Sequence, residues 1–340
     1  MKLKLIQVGL GAHGTNVGKH FVLSSQDFEY VGLVDIDEKR LEECAKLFDV
    51  PKECCYSHYQ EAFQNLQADA ILITAISPAH YDICKAALLH GLHVLLEKPF
   101  VLNMNDAIKL VELGISRKKH IMINQNYRFF HTVQLVKKAL QQKIFGNPLF
   151  VNAQFYFNHQ GKPYQMVMHD YMLLEMAVHH IDMIRFLFDS NIENVRGKTW
   201  NLTESGYKGD PNVSAIYELD TGLPVFYFGS LLAKGLATPW EGTWRIQCEE
   251  GSIHLDDLGQ GYGVYLVDAN QQKVKWTEQI TNPDGIHGTL IEFALSIRED
   301  RQPMSSGQDN LHTLAALFAT STSSKDGKVM YPIDLITSNL

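Results

Sequence analysis

The chain has 340 residues and a formal net charge of -8, with hydrophobic residues at 45% and charged residues at 20%. That length predicts two domains. The acidic balance, without a dense Lys/Arg run, excludes nucleic acid and anionic membrane surfaces as partners.

The opening MKLKLIQVGLG has a basic start, but its short apolar run ends in glycines, which fits a strand at 4–8 and not a secretory core. Gly9, Gly11 and Gly14 then spell G-x-G-x-x-G, and a helix follows over 15–23. YVGLVD (30–35) is a second apolar strand ending at Asp35, and DEKRLEECAKLF has helical spacing. A short strand is expected near Cys55–Tyr56. AILIT (70–74) is continuously apolar, as a strand buried on both faces should be. HYDICKAALLHG reads as a helix closed by Gly91. HVLLE (93–97) is a strand, Asn105–Arg117 a helix and HIMIN (120–124) a strand. This alternation predicts a doubly wound parallel sheet over residues 1–124.

The glycine motif now has its context. Gly9 makes the tight turn out of the strand, Gly11 lets a pyrophosphate approach the backbone, and Gly14 lets the helix pack on the strand. Asp35, about twenty residues on, is placed to accept both ribose hydroxyls of a dinucleotide. Gly9, Leu10, Gly11, Ala12, His13, Gly14, Asp35 and Ile36 are therefore candidate cofactor-binding residues. A carboxylate at 35 repels a 2′-phosphate, so NAD is favoured, while Lys39 and Arg40 leave NADP possible.

Beyond residue 124 the pattern changes to short aromatic strands: LFVNAQFYF (149–157), VSAIYEL, PVFYFGSLL, WRIQC, SIHLD, VYLVD and KVKW, separated by turn signals such as Asp220-Thr221-Gly222. A mainly antiparallel sheet in an α+β domain is expected over 125–340. One long helix falls near Asp170–Phe188, and two more near Thr289–Glu299 and Asp309–Ser323. The five cysteines (Cys44, Cys54, Cys55, Cys84, Cys248) have no metal-ligand spacing, which predicts reduced thiols and a cytoplasmic location. No run reaches the roughly 18 apolar residues of a membrane span.

Two stretches carry chemistry. In LLEKPF (95–100), Lys98 leaves a strand at the edge where ligands bind, and a lysine there can act on a substrate hydroxyl. In LLEMAVHHIDMIRFLF (173–188), Glu175, His179 and Asp182 stand at i, i+4 and i+7 on one helix face. Glu175 would orient His179 as a base for a substrate alcohol; the plain alternative is a surface Glu–His pair with Asp182 in solvent. A metal set of His169, Glu175 and His179 matches no ligand spacing, so no metal is expected.

Taken with GLGAHG, the stretch H-x(3)-C-x-A-A-L-x-x-G-x-H-V-L-x-E-K-P at 80–99, N-x-N-Y-R-F at 124–129, E-x(3)-H-x-x-D at 175–182 and the closing DGKVMYP resemble the Gfo/Idh/MocA family, which includes glucose–fructose oxidoreductase and inositol dehydrogenase. The resemblance covers nearly the whole chain. It implies a Rossmann domain, a C-terminal domain whose open sheet forms homodimers or homotetramers, and NAD- or NADP-dependent chemistry on a sugar, cyclitol or similar polyol. By motif, Lys98 contacts substrate and nicotinamide and His179 is the acid/base, with Glu175 where many members carry Asp. Ser77, His80 and Glu97 are expected beside the cofactor, Ser77 because Ala75-Ile76 replace the usual Thr-Pro. Tyr127 and Tyr156 join Lys98, Glu175 and His179 as substrate candidates; Arg128, Asn158, Trp240 and His287 are weaker ones. Alternatives are a non-catalytic NAD(P)-binding sensor of the same fold, or an enzyme acting on an aromatic diol.

Overall fold

In the computed structural model, which describes residues 1–159, 161–281 and 283–338, the chain divides into two units. The first holds Met1–Asn126 with residues 283–311, and the second Tyr127–Thr281 with residues 312–338.

Fully buried apolar runs build the first unit. Strands β1 (Leu3–Val8), β2 (Phe28–Val34), β3 (Cys55–Tyr56), β4 (Ala70–Ile73), β5 (His93–Leu96) and β6 (Ile121–Ile123) form one sheet in the order β3-β2-β1-β4-β5-β6. Every pairing is parallel. The intervening helices are α1 (Ala12–Val17), α2 (Glu38–Phe48), α3 (Tyr59–Asn65), α4 (His80–Leu89) and α5 (Met104–Arg117). The strand order reverses between β1 and β4, the switch point at whose carboxyl edge ligands bind in such sheets. The short α3 goes unpredicted because it buries only Ala62 and Phe63.

In the second unit α6 (His131–Gln141) leads to β7 (Pro148–Tyr156). A π-helical turn over Leu173–Ala177 runs into α7 (Val178–Phe188). Strands β8 (Ile192–Trp200), β9 (Asn212–Leu219), β10 (Pro224–Ser230), β11 (Thr243–Cys248), β12 (Gly251–Asp256), β13 (Gly263–Asp268) and β14 (Lys273–Lys275) complete the sheet. Its order is β14-β13-β12-β11-β7-β10-β9-β8. It is antiparallel except for the parallel β7–β10 pair. Val151, Ala153, Phe155, Tyr217 and Tyr227 on one face join Leu173, Ala177, Val178 and Ile181 in a single core. Phe226 and Ile216 on the other face stay exposed, as the two-residue period requires. β8 goes unpredicted because charged and glycine positions interrupt its apolar pattern, and a register shift divides Ile192 from Asn194.

The chain closes with α8 (Gly285–Arg298), α9 (Gly307–Asp326) and α10 (Pro332–Thr337). The expected division at 124/125 places all of these in the second domain, but residues 283–311 return to the first unit. The cause is the open edge of the parallel sheet. Ile123 N donates to Ser305 O (2.9 Å), Ser305 Oγ donates to Ile123 O (2.6 Å), and Phe293 of α8 stacks on Phe28 at 5.9 Å. These bonds satisfy backbone groups that an edge strand leaves unpaired.

Candidate active site

The turn after β1 leaves no room for side chains at two of its glycines. A Cβ on Gly9 would lie 2.5 Å from Ala75 N, and one on Gly14 2.2 Å from Gly9 O. Gly9 also has φ +93, a region that favours glycine. Gly11 differs: a Cβ there meets nothing nearer than Arg40 Nη1 at 3.9 Å. Its surroundings form an open cradle beside the first amides of α1, which fits a pyrophosphate. A residue that sequence reasoning missed, Gln7, holds this turn from below. Gln7, fully buried, donates to Gly14 O (2.9 Å) and Thr74 Oγ1 (3.1 Å), and it accepts from Tyr30 OH. A lone glutamine inside the apolar run LIQV was the available signal.

Asp35 sits buried at the end of β2. Its Oδ2 accepts from Leu10 N (2.5 Å) and its Oδ1 from Asp37 N (2.9 Å), so the carboxylate fixes the turn and keeps lone pairs for ribose hydroxyls. Ile36 beside it is exposed, and Ser77 opens a short 3₁₀ turn after β4. His80 differs from expectation. It is buried, with Nδ1 2.9 Å from Pro99 O and Nε2 3.1 Å from Ala75 O, so both nitrogens face backbone carbonyls. It clamps the Glu97-Lys98-Pro99 turn to the end of β4.

Glu97 is buried and its Oε1 takes two contacts: His13 Nε2 at 3.0 Å and Asn124 Nδ2 at 2.6 Å. Burial alone would push its carboxyl up. The His13 contact and charge, the Asn124 bond and the Lys98 charge outweigh that and hold it below the usual carboxylate range. His13 of the glycine turn is thereby joined to the E-K-P turn. Lys98 is half-buried and lies two residues past the end of β5.

In the second unit His179 occupies the first turn of α7. It is buried, and its ring stacks on Tyr127 at 4.1 Å and 8°. Burial, then the charge of Glu241, pushes the Tyr127 phenol up, so Tyr127 meets His179 as a neutral ring. Glu175 lies in the π-helical turn and not in a regular α-helix, as π-turns at functional sites often do. Its charge, after burial, helps raise the Tyr164 phenol.

Asp182 is 1% exposed, which removes the reading of a solvated surface face. Its carboxylate accepts from Arg128 Nε (2.6 Å), Arg128 Nη2 (2.7 Å) and Thr313 Oγ1 (3.0 Å). Next to His179, His180 is also buried. Its Nδ1 lies 2.7 Å from Tyr227 OH and its Nε2 2.9 Å from Trp240 O. A carbonyl can only accept, so Nε2 carries the proton and Nδ1 accepts from the tyrosine.

Three further candidates are relocated. Tyr156 lies on the opposite face of β7 from Phe155 and packs on Phe228 (5.4 Å), so it stands on the open side of the sheet and not with His179. The strand's two-residue period puts it on the face opposite the core that holds His179. His287 belongs to α8 in the first unit, against Phe21 and Ser24. Asn158 is exposed and bridges to Leu232. Among the described residues, no group of three or more His, Cys, Asp or Glu is placed to hold a metal ion, and no helix is long and apolar enough to cross a membrane.

The switch point, the glycine cradle and Asp35 define a dinucleotide-binding Rossmann domain. Residues 3–125 match the family model for oxidoreductases of that fold, and residues 133–254 match the GFO/IDH/MocA C-terminal domain. The chain belongs to the Gfo/Idh/MocA family of oxidoreductases, and its cofactor is NAD. It is 25% identical to an uncharacterized protein of Sinorhizobium fredii, over 96% of this chain and 95% of that one. It is 22% identical to D-apiose dehydrogenase of Paraburkholderia graminis, over 89% of this chain and 82% of that one. An Agrobacterium radiobacter oxidoreductase solved with NAD+, L-tartaric acid and magnesium has a TM-score of 0.88 at 20% identity, covering 98% of this chain and 100% of that one.

Proposed function

We propose that this chain is a dehydrogenase of a sugar, cyclitol or related polyol. NAD supplies the partner that accepts or returns the hydride at the hydroxyl-bearing carbon. His179 takes the hydroxyl proton, with Tyr127 fixing the plane of its ring and Glu175 orienting it across the π-turn. Lys98, in the Glu97-Lys98-Pro99 turn beside the cofactor cradle, is the cation we assign to contact substrate and nicotinamide. Asp35 favours NAD over NADP, and Arg40, near the Gly11 cradle, leaves room for a weaker use of NADP. The exposed Phe226 and Ile216 on the open face of the sheet support a homodimer or homotetramer through that face. All five cysteines are free, in keeping with a cytoplasmic location.

The observation that carries this reading is the buried, stacked His179. A histidine stacked flat on a neutral tyrosine has its ring plane fixed, a condition for a proton acceptor aimed at a substrate. The likeness to D-apiose dehydrogenase supports the substrate class. The test is a panel of sugars and polyols scored by NAD+ and NADP+ reduction. Reduction with one or more supports the reading, and none with any would oppose it.

A further inference from the structure

Trp240 is the one tryptophan among the exposed large hydrophobic side chains, at 46% exposure. An exposed indole offers a flat apolar face on which another ring can stack. This one is held on its other side by Phe157, at 4.6 Å and 32°, with Phe155 behind at 6.3 Å. Its backbone is fixed as well. Trp240 O accepts from His180 Nε2 (2.9 Å), and His180 is locked by Tyr227 OH. The loop around it is stapled to the end of β7 through Ala233 N to Phe157 O (3.0 Å) and Thr238 N to Tyr156 O (2.9 Å). Gly242 closes the loop, where a Cβ would lie 2.6 Å from Gln154 O.

The same rings lead to the proton acceptor. Tyr127 stacks on His179 and contacts His180 at 6.2 Å, and His180 contacts Phe155 at 5.1 Å. A rigid indole face is thus linked to His179 through four ring contacts, and its backbone anchor, His180, is the residue next to His179 in sequence.

We propose that Trp240 is the stacking platform of the substrate site, and that the substrate is a ring. A pyranose, furanose or cyclitol presents a face of C–H groups that lies flat on an indole, while its hydroxyls point to the rim. An open-chain polyol offers no such face. This rests on the reading of the chain as a polyol dehydrogenase and narrows it to cyclic substrates.

The test compares wild type with Trp240→Ala and Trp240→Phe. The anchoring bond comes from the backbone carbonyl, so substitution removes the ring and leaves the bond to His180. The probes are myo-inositol, D-glucose and D-xylose, with D-sorbitol and glycerol as open-chain controls. For a ring substrate, Trp240→Ala raises KM roughly tenfold while kcat changes less than about threefold, and Trp240→Phe recovers most of the loss. Open-chain controls show no such selective loss. Independently of turnover, a ring probe added to the NADH complex changes the tryptophan emission of wild type but not of Trp240→Phe. An unchanged KM, an equal loss on open-chain polyols, or an emission change that persists in Trp240→Phe would overturn the proposal and leave the dehydrogenase reading intact. Emission that responds to ring probes without any turnover would support the platform and count against the dehydrogenase reading. No emission response to any ring probe would overturn the platform.

Discussion

Replacing Asp182 with alanine takes a carboxylate from a buried cation. In the native chain Arg128 and Asp182 are 5% and 2% exposed at their side chains, and two parallel N–H donors meet the carboxylate at 2.6 and 2.7 Å. Removing the acid takes the bidentate carboxylate away from a guanidinium buried in the core, which costs about 3–5 kcal/mol. Thr313 loses an acceptor as well. For a unit of this size each kcal/mol lowers the midpoint by roughly 2–4 °C, so a fall of roughly 6–20 °C is expected. Replacing both partners (Arg128→Met with Asp182→Leu) removes the buried cation together with the carboxylate. The double variant is therefore expected to be more stable than Asp182→Ala alone. Calorimetry and urea unfolding of the three proteins provide the measurement. Two results would refute the reasoning: Asp182→Ala within about 1 kcal/mol of wild type, or a double variant no more stable than Asp182→Ala.

Three further outcomes follow from the site. Tyr127→Ala removes the ring against His179 and should lower kcat by roughly tenfold or more with NADH affinity unchanged, whereas Tyr127→Phe keeps the ring and most of the rate; titration of bound NADH and steady-state kinetics check both. Asp35→Ala loses the grip on Leu10 N and the ribose contacts together, so its NADH dissociation constant should rise by roughly tenfold or more by fluorescence titration. Burial holds His180 down to about 4, against the bond to Trp240 O that would raise it. The unfolded chain therefore binds this proton first as pH falls, so stability is lost between about 6.5 and about 4, by up to about 3 kcal/mol for this group. In His180→Gln that component is absent, and urea unfolding at about pH 7.5 and about pH 4.5 should show a shallower decline than wild type.

The parallel sheet was legible because its strands are buried on both faces and read as unbroken apolar runs. The glycine turn was legible because Gly9 and Gly14 are demanded by close approach to Ala75 and Thr74, a steric need that no other residue meets. His179 and Glu175 could be singled out from helical spacing. What supports them could not, because Arg128 reaches Asp182 across 54 positions and His180 reaches Trp240 across 60. His80 shows the limit of a motif match: its position was foreseen, but its role follows from the carbonyls around it. Tyr156 shows another limit, since a shift of one residue along β7 exchanges the core face for the open one. The return of residues 283–311 had no periodic signal, as it answers an unpaired strand edge far earlier in the chain.

In the proposed reaction His179 moves the proton of a hydroxyl whose carbon exchanges a hydride with NAD. NAD+ reduction across a panel of cyclic and open-chain polyols, with wild type and His179→Ala side by side and NADH affinity titrated for each, tests it most directly. The expected result is turnover of at least one polyol by wild type, slowed by roughly a hundredfold or more in the variant while both bind NADH equally. Equal rates in the two proteins, or no turnover of any polyol by wild type, would contradict it.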